Sequence, residues 1–459
     1  MDRPLEKLLE KIKQDGLLCS LLPLFDSRQV FLVGGYIRDA YLGTEPILDY
    51  DLVVLNENSK TLADEIAEKT QGTLVELDAE NRVYRVVSGD FYLDITCTDD
   101  ILEDAKRRDF TLNSVYYDFG KCEIYDPLNG LKDLENGVLN AYKLENFDDD
   151  PLRMLRAFRF ASLYGFEIAS EALAYIKENA KSISKSAPER VTYEVIRMFE
   201  GENLVPAIKT AHKTGLLAAI FPFVEEIENI PPNSHHHLNL LEHSFETIRH
   251  IRINNPLLKL AALMHDIGKP NLWKIEPCET FDPQGNLITE RHRFIGHEEE
   301  GAKLAKPILE SLKFSRKQID FITKMIQHHI YPSALMHQSE KTEKSMIRFA
   351  RNINPYTKEL IELARADRLS ARGVLVTDEV VEKNLKNLEE LNSFCEKILP
   401  ELQALPKLLD GNEIMKILNI KPSKKLGEII NALEEAQLEG LVRNKEEAEN
   451  FIRCKQPLF

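Results

Sequence analysis

An α+β head followed by an all-α remainder is the fold class that this sequence predicts. Two observations carry it. Short β-branched runs (VFLVGG, YDLVVL, VYRVV and FYLDITC) mix with helical stretches between residues 28 and 143. From about residue 144 the strands stop reading, and apolar residues recur at helical spacing, as in LRMLRAFRFASLYGF and TYEVIRMFEG. Taken in order, residues 1–27 read as an N-terminal helix and loop, 28–143 as the head and 144–230 as a helical neck. NIPPNSHHH, 229–237, reads as a hinge into a histidine-rich helical unit over 231–400. LPKLLDG, near 405, opens a final helical segment within 401–459.

Composition bounds what such a protein can be. Its 459 residues leave room for two to four domains. Hydrophobic content of 43% and charged content of 29% are ordinary for a soluble protein. No run of eighteen apolar residues occurs, so no membrane helix is expected. The start, MDRPLEKLLEKIKQDGLL, lacks the apolar core and small-residue cleavage site of a signal peptide. Six cysteines without CxxC pairing fit free thiols in a reducing cytoplasm. The net charge of −16 argues against a uniformly basic nucleic-acid binder. A local basic groove can still bind phosphates, and metal-site carboxylates inflate the acidic count.

The head carries the first constellation. FLVGGYIRDAYLG reads as strand, turn and helix, with Gly34 and Gly35 at a turn whose N–H groups can receive phosphate oxygens. Arg38 lies one turn into that helix. LDYD follows, and strand alternation puts Asp49 and Asp51 on one face, where two carboxylates repel unless a cation sits between them. Asp94 in FYLDIT adds a third acid, and three carboxylates with substrate phosphates describe a Mg²⁺ site for nucleotidyl transfer. In EDAKRRDFTLNS, Arg108 beside Asp109 and Asn113 would donate to phosphate and accept from a ribose hydroxyl. The bland alternative is a surface ion-pair cluster.

DDDPLRMLRAFRF then places Pro151 in a first helical turn, with Asp148 and Asp149 as dipole partners. Helix capping leaves Arg153, Arg156 and Arg159 unexplained, spaced every three residues. Asp150 and Arg153 stand on one face. An Asp accepting from an amino group beside an Arg donating to ring nitrogen or carbonyl could read cytosine or adenine and reject uracil and guanine.

GGYIRD, LDYD, RRDFTLN and DDPLRMLRAFRF occur in the order seen in class II tRNA nucleotidyltransferases, the CCA-adding enzymes and their bacterial poly(A) polymerase relatives. The resemblance spans roughly 28–200. It implies a polymerase-β-like catalytic head, with Asp49 and Asp51 holding Mg²⁺ and Asp94 as the third catalytic acid. It also implies Gly34, Gly35 and Arg38 on the triphosphate, Arg108, Asp109 and Asn113 on the ribose, and Asp150 with Arg153 as base template, Arg156 and Arg159 continuing the nucleotide face. Asp149 stands where the family more often has Glu. The segment from LLDGNEIMKIL to NKEEA resembles the family's tRNA-contacting tail, so the tRNA 3′ end is the expected partner.

One departure from the family bears on specificity. Full CCA enzymes of this class usually carry a flexible loop after the strand with the third acid. Here eight residues separate Asp94 from Glu103, and none resembles it. In relatives this deletion accompanies enzymes that add only C74 and C75, leaving A76 to a separate A-adding enzyme. The expectation is therefore CC addition from CTP. Full CCA addition from CTP and ATP is the alternative, with A-adding or poly(A) activity behind it.

The second constellation lies between 235 and 375. LLEHSFETIRH carries His243, LAALMHDIGKP carries His265 and Asp266, GHEEEGAKLA carries His297, MIQHHIYP carries His328 and His329, and ELARADRLSARG carries Asp367. A buried Asp needs a partner, and imidazole with carboxylate suits a divalent transition metal. The set resembles the HD phosphohydrolase superfamily. That resemblance implies His243, His265, Asp266 and Asp367 as ligands of one metal, with His297 and His328 as supports or second-metal ligands. His235, His236 and His237 read as hinge or site-edge residues. A protein that is chiefly such a hydrolase, with an RNA-binding front half, is the reading from another class.

Overall fold

The computed structural model describes residues 3–44, 48–89, 91–337, 341–404, 406–438 and 440–455. The extreme ends of the predicted N-terminal and C-terminal segments, 1–2 and 456–459, lie outside the described residues. Packing divides the protein into two units. One is Met1–Glu226 with Asn255–Leu257 and Pro307–Arg316, and the other is Ile227–Asn254, Leu258–Lys306 and Lys317–Phe459.

The first unit is built on a seven-stranded sheet: β1 (Val30–Val33), β2 (Asp49–Leu55), β3 (Thr73–Asp78), β4 (Val83–Ser88), β5 (Phe91–Thr98), β6 (Tyr116–Asp118) and β7 (Glu123–Tyr125). The strand order is β3-β4-β5-β2-β1-β6-β7. The β2–β5 pair is parallel, and the other neighbours run antiparallel. Period-two alternation sorts each strand onto two faces. Tyr50, Leu52, Val54, Leu93 and Ile95 enter a large apolar core under helices. Phe31, Val33 and Val53 face the other way, against Ile101, Ala105 and Tyr116. Asp49 and Asp51 share the second face by parity.

The N-terminal segment is two helices, Arg3–Gln14 and Gly16–Phe25, where one helix and a loop were expected. The second forms because Asp15 caps it, accepting from the Leu18 amide at 3.0 Å, ahead of an apolar GLLCSLL run. Leu8, Ile12, Leu18, Leu21 and Phe25 enter the same core as the sheet, so the segment belongs to the head. Asp15 also accepts from the Tyr36 and Tyr50 hydroxyls, at 2.9 and 3.0 Å.

Helices dominate from Asn146 onward. Leu152–Tyr164 is buried along Leu152, Met154, Leu155 and Phe158, and Gly165 ends it in the left-handed region. In the second unit, a local core of Ile414, Leu418, Ile429, Leu433, Val442 and Ile452 closes the last three helices. Arg351 ties that bundle to the helix Glu343–Ile353 through Asn431 at 2.8 Å and Glu434 at 2.6 Å.

Two elements depart from the expected all-helical remainder. Val138–Leu139 pairs with Glu167–Ile168, and Lys274–Phe281 forms an antiparallel hairpin with Leu287–Arg293. The hairpin's alternation was hard to read because both of its faces are largely exposed, so no apolar stripe marks it. Its turn is set by Asp282, which accepts from the amides of Gln284 and Asn286 at 3.0 and 2.7 Å. No described helix is long and apolar enough to cross a membrane.

Asp15→Ala removes a helix cap and the carboxylate that accepts from the Tyr36 and Tyr50 hydroxyls. Chemical denaturation is expected to show a loss of about 1–3 kcal/mol for the first unit. An unchanged midpoint would contradict that role.

Candidate functional site

The parallel register sets Asp51 opposite Asp94, so the third acid joins Asp49 and Asp51 on one face. Asp51 packs so closely under the turn that a Cβ at Gly34 would run into its carboxylate. Gly34 has φ of 80°, a second reason for glycine there. Desolvation first, then repulsion from Asp49 and Asp94, pushes the Asp51 carboxyl up to about 6 against the pull of Arg108 and Arg156. Asp49 is also raised, by desolvation and by Asp94. Oxygen-only donors that repel one another in this way fit a hard divalent cation.

Two anchors of this face were not read from the sequence. Arg85, opposite Asp94 on β4, grips it through two hydrogen bonds of 2.6 and 2.8 Å. Asp104, buried, accepts from Arg108 at 3.0 Å and from the Tyr116 hydroxyl at 2.6 Å. An arginine inside the apolar VYRVV run was the available signal for the first. An acid four residues before Arg108 was the signal for the second.

The residues expected to meet the nucleotide form a series of contacts with one another. Arg38 donates to Asp39 at 2.8 Å and to Asn113 at 3.0 Å, with Phe160 and Tyr164 ring centroids 4.9 and 5.1 Å from its guanidinium. Its guanidinium is therefore buried in protein partners. Gly35 opens its helix. Asn113 donates to Asp109 at 2.9 Å, and Arg156 donates to Asp109 at 2.8 Å. Burial pushes the Asp109 carboxyl up, but Arg156, Asn113 and the Phe110 amide outweigh it and hold it well below the usual range. Arg159 pairs with buried Glu194 at 3.1 Å.

The Asp150 and Arg153 side chains have separate hydrogen-bond partners, although the Arg153 amide donates to the Asp150 carbonyl at 3.0 Å. Asp150 precedes the helix, where it accepts from the Leu152 amide at 3.3 Å and pairs with Arg190 at 2.8 Å. Arg153 donates to the Asn146 carbonyl at 3.1 Å. Arg190 carried no signal in DDDPLRMLRAFRF, because it comes from the later helix Pro188–Glu200.

In the second unit, His243, His265, Asp266 and Asp367 meet. His243 Nε2 lies 3.1 Å from Asp367, and His265 Nε2 lies 3.2 Å from Asp266. His297 Nε2 is 3.1 Å from the other Asp266 oxygen. His328 is corrected: it is only half-buried, and its neighbour His329 takes the place, with Nε2 3.3 Å from His297 Nε2 and 3.7 Å from Asp266. One residue along a helix rotates the side-chain direction by about 100°, so only one of the pair can face the cluster. Lys269, unread in the sequence, reaches Asp266 at 2.6 Å, and His236 stacks edge-on 4.5 Å from His243. Gly268 lets the helix starting at His297 pass against the HDIGKP turn, where a Cβ would meet the His297 carbonyl.

Tautomers follow from the carbonyls. Nδ1 of His265, His297 and His329 lies 2.7, 2.8 and 2.7 Å from backbone oxygens, so each Nδ1 donates and each Nε2 lone pair points inward. His243 Nε2, His265 Nε2 and Asp266 Oδ1 are buried without a hydrogen-bond partner among the described residues. Burial, with His265 and His297 nearby, lowers the His329 pKa to about 3, so it stays neutral. Inward-facing Nε2 atoms around a carboxylate, with each Nδ1 held by a backbone carbonyl, fit divalent metal ligation. His243, His265 and Asp367 form one such group, and His265, Asp266 and His329 form another.

Three families match parts of the sequence: the poly A polymerase head domain over 93–140, the probable RNA and SrmB-binding site of polymerase A over 165–228, and the HD domain over 234–372. A CC-adding tRNA nucleotidyltransferase from Thermus thermophilus is 30% identical over 440 residues, covering 94% of each protein. This chain belongs to the tRNA nucleotidyltransferase family. An A-adding tRNA nucleotidyltransferase from Deinococcus radiodurans is 29% identical over 441 residues, covering 94% of that protein and 92% of this one. The solved complex of a CCA-adding enzyme with CTP shares the fold, with a TM-score of 0.62, 20% identity and coverage of 99% of this protein and 100% of that one. As a tRNA nucleotidyltransferase the protein is an enzyme with a mixed-sheet head, an RNA-binding segment and an HD domain.

Asp51 keeps its proton to about pH 6 when folded and releases it near about 4 when unfolded. Its contribution to stability is therefore present at low pH and lost as pH rises through that window. A divalent cation offsets the repulsion only after ionisation. Mg²⁺ is expected to raise Tm more at about pH 7.5 than at about pH 5, with the difference shrinking in Asp51→Asn. Equal shifts in wild type, read by thermal unfolding with and without chelator, would contradict it.

Proposed function

We propose that the protein extends the tRNA 3′ end by two cytidylates from CTP. The observation that carries this reading is the connection after β5. The strand ends at Thr98 and the next helix, Ile101–Lys106, starts three residues on, with Asp100 capping it through the Leu102 amide at 2.8 Å. Only Asp99 and Asp100 join the two elements, so this connection contains no flexible loop to reset the base pocket from cytosine to adenine.

In the reaction the tRNA 3′ oxygen bonds to the α-phosphorus of CTP, the bond to the bridging oxygen breaks, pyrophosphate leaves and the hydroxyl proton passes to solvent. Asp49 and Asp51 would hold Mg²⁺, which when bound neutralises charge on the triphosphate. Arg85 keeps Asp94 oriented on the same face. Asp109, clamped by Arg156, would meet the ribose, and the Gly34–Gly35 turn would meet the phosphates. Asp150 would leave Arg190 to accept from the cytosine amino group while Arg153 donates to its ring. A product ending in CC then needs a separate A-adding activity. Free cysteines, as all six are, fit a cytoplasmic setting.

The HD cluster reads as a metal-dependent phosphohydrolase site, carried by the inward-facing lone pairs around Asp266. A metal held there when bound would activate water toward a phosphoester.

End-labelled tRNA lacking its CCA end tests the main reading, incubated with Mg²⁺ and CTP, ATP or both, and resolved at single-nucleotide length. Growth by two with CTP and no further growth with ATP is expected. Growth by three contradicts it, and growth by one adenylate on tRNA already ending in CC identifies an A-adding enzyme instead. Asp49→Ala is expected to lower addition by about 10³-fold or more while phosphoester hydrolysis persists. Retained addition would place the active site elsewhere.

A further inference from the structure

The carboxylate face of the head sheet continues past Asp94. Arg85 and Val87 on β4 stand opposite Asp94 and Tyr92 on β5, and Val75 on β3 stands opposite Arg85. Parity keeps all of these on the face of Asp49 and Asp51, because the alternate residues Val86, Leu93 and Ile95 enter the apolar core. Toward β1 that face is covered by Ile101 and Ala105. Toward β3 it is open: Tyr92 is 50% exposed and Val75 40%. An aromatic ring thus stands in solvent on the same strand and face as the third acid, where it adds nothing to the core.

The direction of the reaction gives this ring a use. In transfer at phosphorus the attacking and leaving oxygens stand roughly in line, on opposite sides of the phosphorus. The sheet order β5-β2-β1 puts the Gly34–Gly35 turn, which follows β1, on one side of Asp49 and Asp51 and puts Asp94 on the other. With the triphosphate on that turn, pyrophosphate leaves toward β1 and the RNA hydroxyl arrives over β5. Tyr92 pairs with Asp49 across the strands, so it lies under that approach. Arg85 suits the same approach. It grips Asp94 through Nε and Nη2, which leaves Nη1 without a hydrogen-bond partner among the described residues. Its guanidinium carbon is 5.6 Å from the Tyr92 ring centroid. A cation there offsets the repulsion that three carboxylates exert on an incoming phosphate.

We propose that Tyr92 seats the terminal base of the acceptor RNA, which stacks on its exposed ring while Arg85 Nη1 donates to the phosphate of that nucleotide. The assignment rests on the nucleotidyl-transfer reading of the head, with the triphosphate at the Gly34–Gly35 turn. Stacking on an aromatic ring accepts any base. That tolerance suits an end whose last base changes with each addition, whereas hydrogen-bond readout of that base would stall after the first step.

Steady-state extension of tRNA lacking its CCA end tests the seat, with full-length protein, Mg²⁺, CTP and ATP. An intact acceptor is compared with one whose last nucleotide lacks its base. In wild type the abasic acceptor is expected to show a KM at least about ten-fold higher, with KM for the nucleoside triphosphate unchanged. Tyr92→Ala is expected to raise KM for the intact acceptor by a similar factor and to add no further loss on the abasic one, while Tyr92→Phe keeps the wild-type values. A merely structural role for Tyr92 would weaken both acceptors alike. Equal KM values for the two acceptors in wild type, a result that needs no variant, overturn the seat and leave the transfer reaction standing. A Tyr92→Ala loss of the same size on both acceptors does so too. No extension of the intact acceptor by wild type sinks the transfer reading, and the seat with it.

Discussion

Repulsion among three carboxylates organises the head. Asp49 and Asp51 share a face because strand side chains alternate, and the β2–β5 register adds Asp94 to them. Nothing in the apolar core gains from that arrangement. Everything around it limits the cost. Gly34 leaves room for the Asp51 carboxylate, Arg85 grips Asp94, and Asp104 with Tyr116 holds Arg108 within electrostatic reach of Asp51. Asp51 still sits at about 6, first because burial disfavours its charge and then because Asp49 and Asp94 repel it, against the pull of Arg108 and Arg156. A bound divalent ion is the natural remainder.

The HD cluster solves a related problem with nitrogen. Backbone carbonyls take the Nδ1 protons of His265, His297 and His329, and the freed Nε2 lone pairs crowd around Asp266. Buried acceptors facing acceptors are unstable without a cation.

Much of this was legible in the sequence, and the limits are physical. Period-two spacing was enough to pair Asp49 with Asp51, and DDDPLRMLRAFRF announced its helix. The strands of the head read well because one face of each is apolar. The hairpin over 274–293 did not, because both its faces are largely exposed. Arg85 and Arg190 were missed since each acts through a partner that only the fold brings near, whereas Asp104 and Lys269 lie within four residues of Arg108 and Asp266 and carried a local signal. His328 against His329 was undecidable from MIQHHIYP, because helix phase, not residue type, selects the ligand. Asp150 stands before the helix and pairs with Arg190, a partner that helical spacing within one segment could not show.

The central claim is that the Asp49–Asp51 face is a divalent-cation site required for nucleotide addition. Mn²⁺ binding followed by electron paramagnetic resonance tests it most directly, in wild type, in the Asp49→Asn/Asp51→Asn double variant and in His265→Ala. The account predicts two separable classes of bound Mn²⁺. The double variant should lose one class together with nucleotide addition, and His265→Ala should lose the other while addition continues. Undiminished Mn²⁺ binding in the double variant, or addition that survives it, would contradict the account.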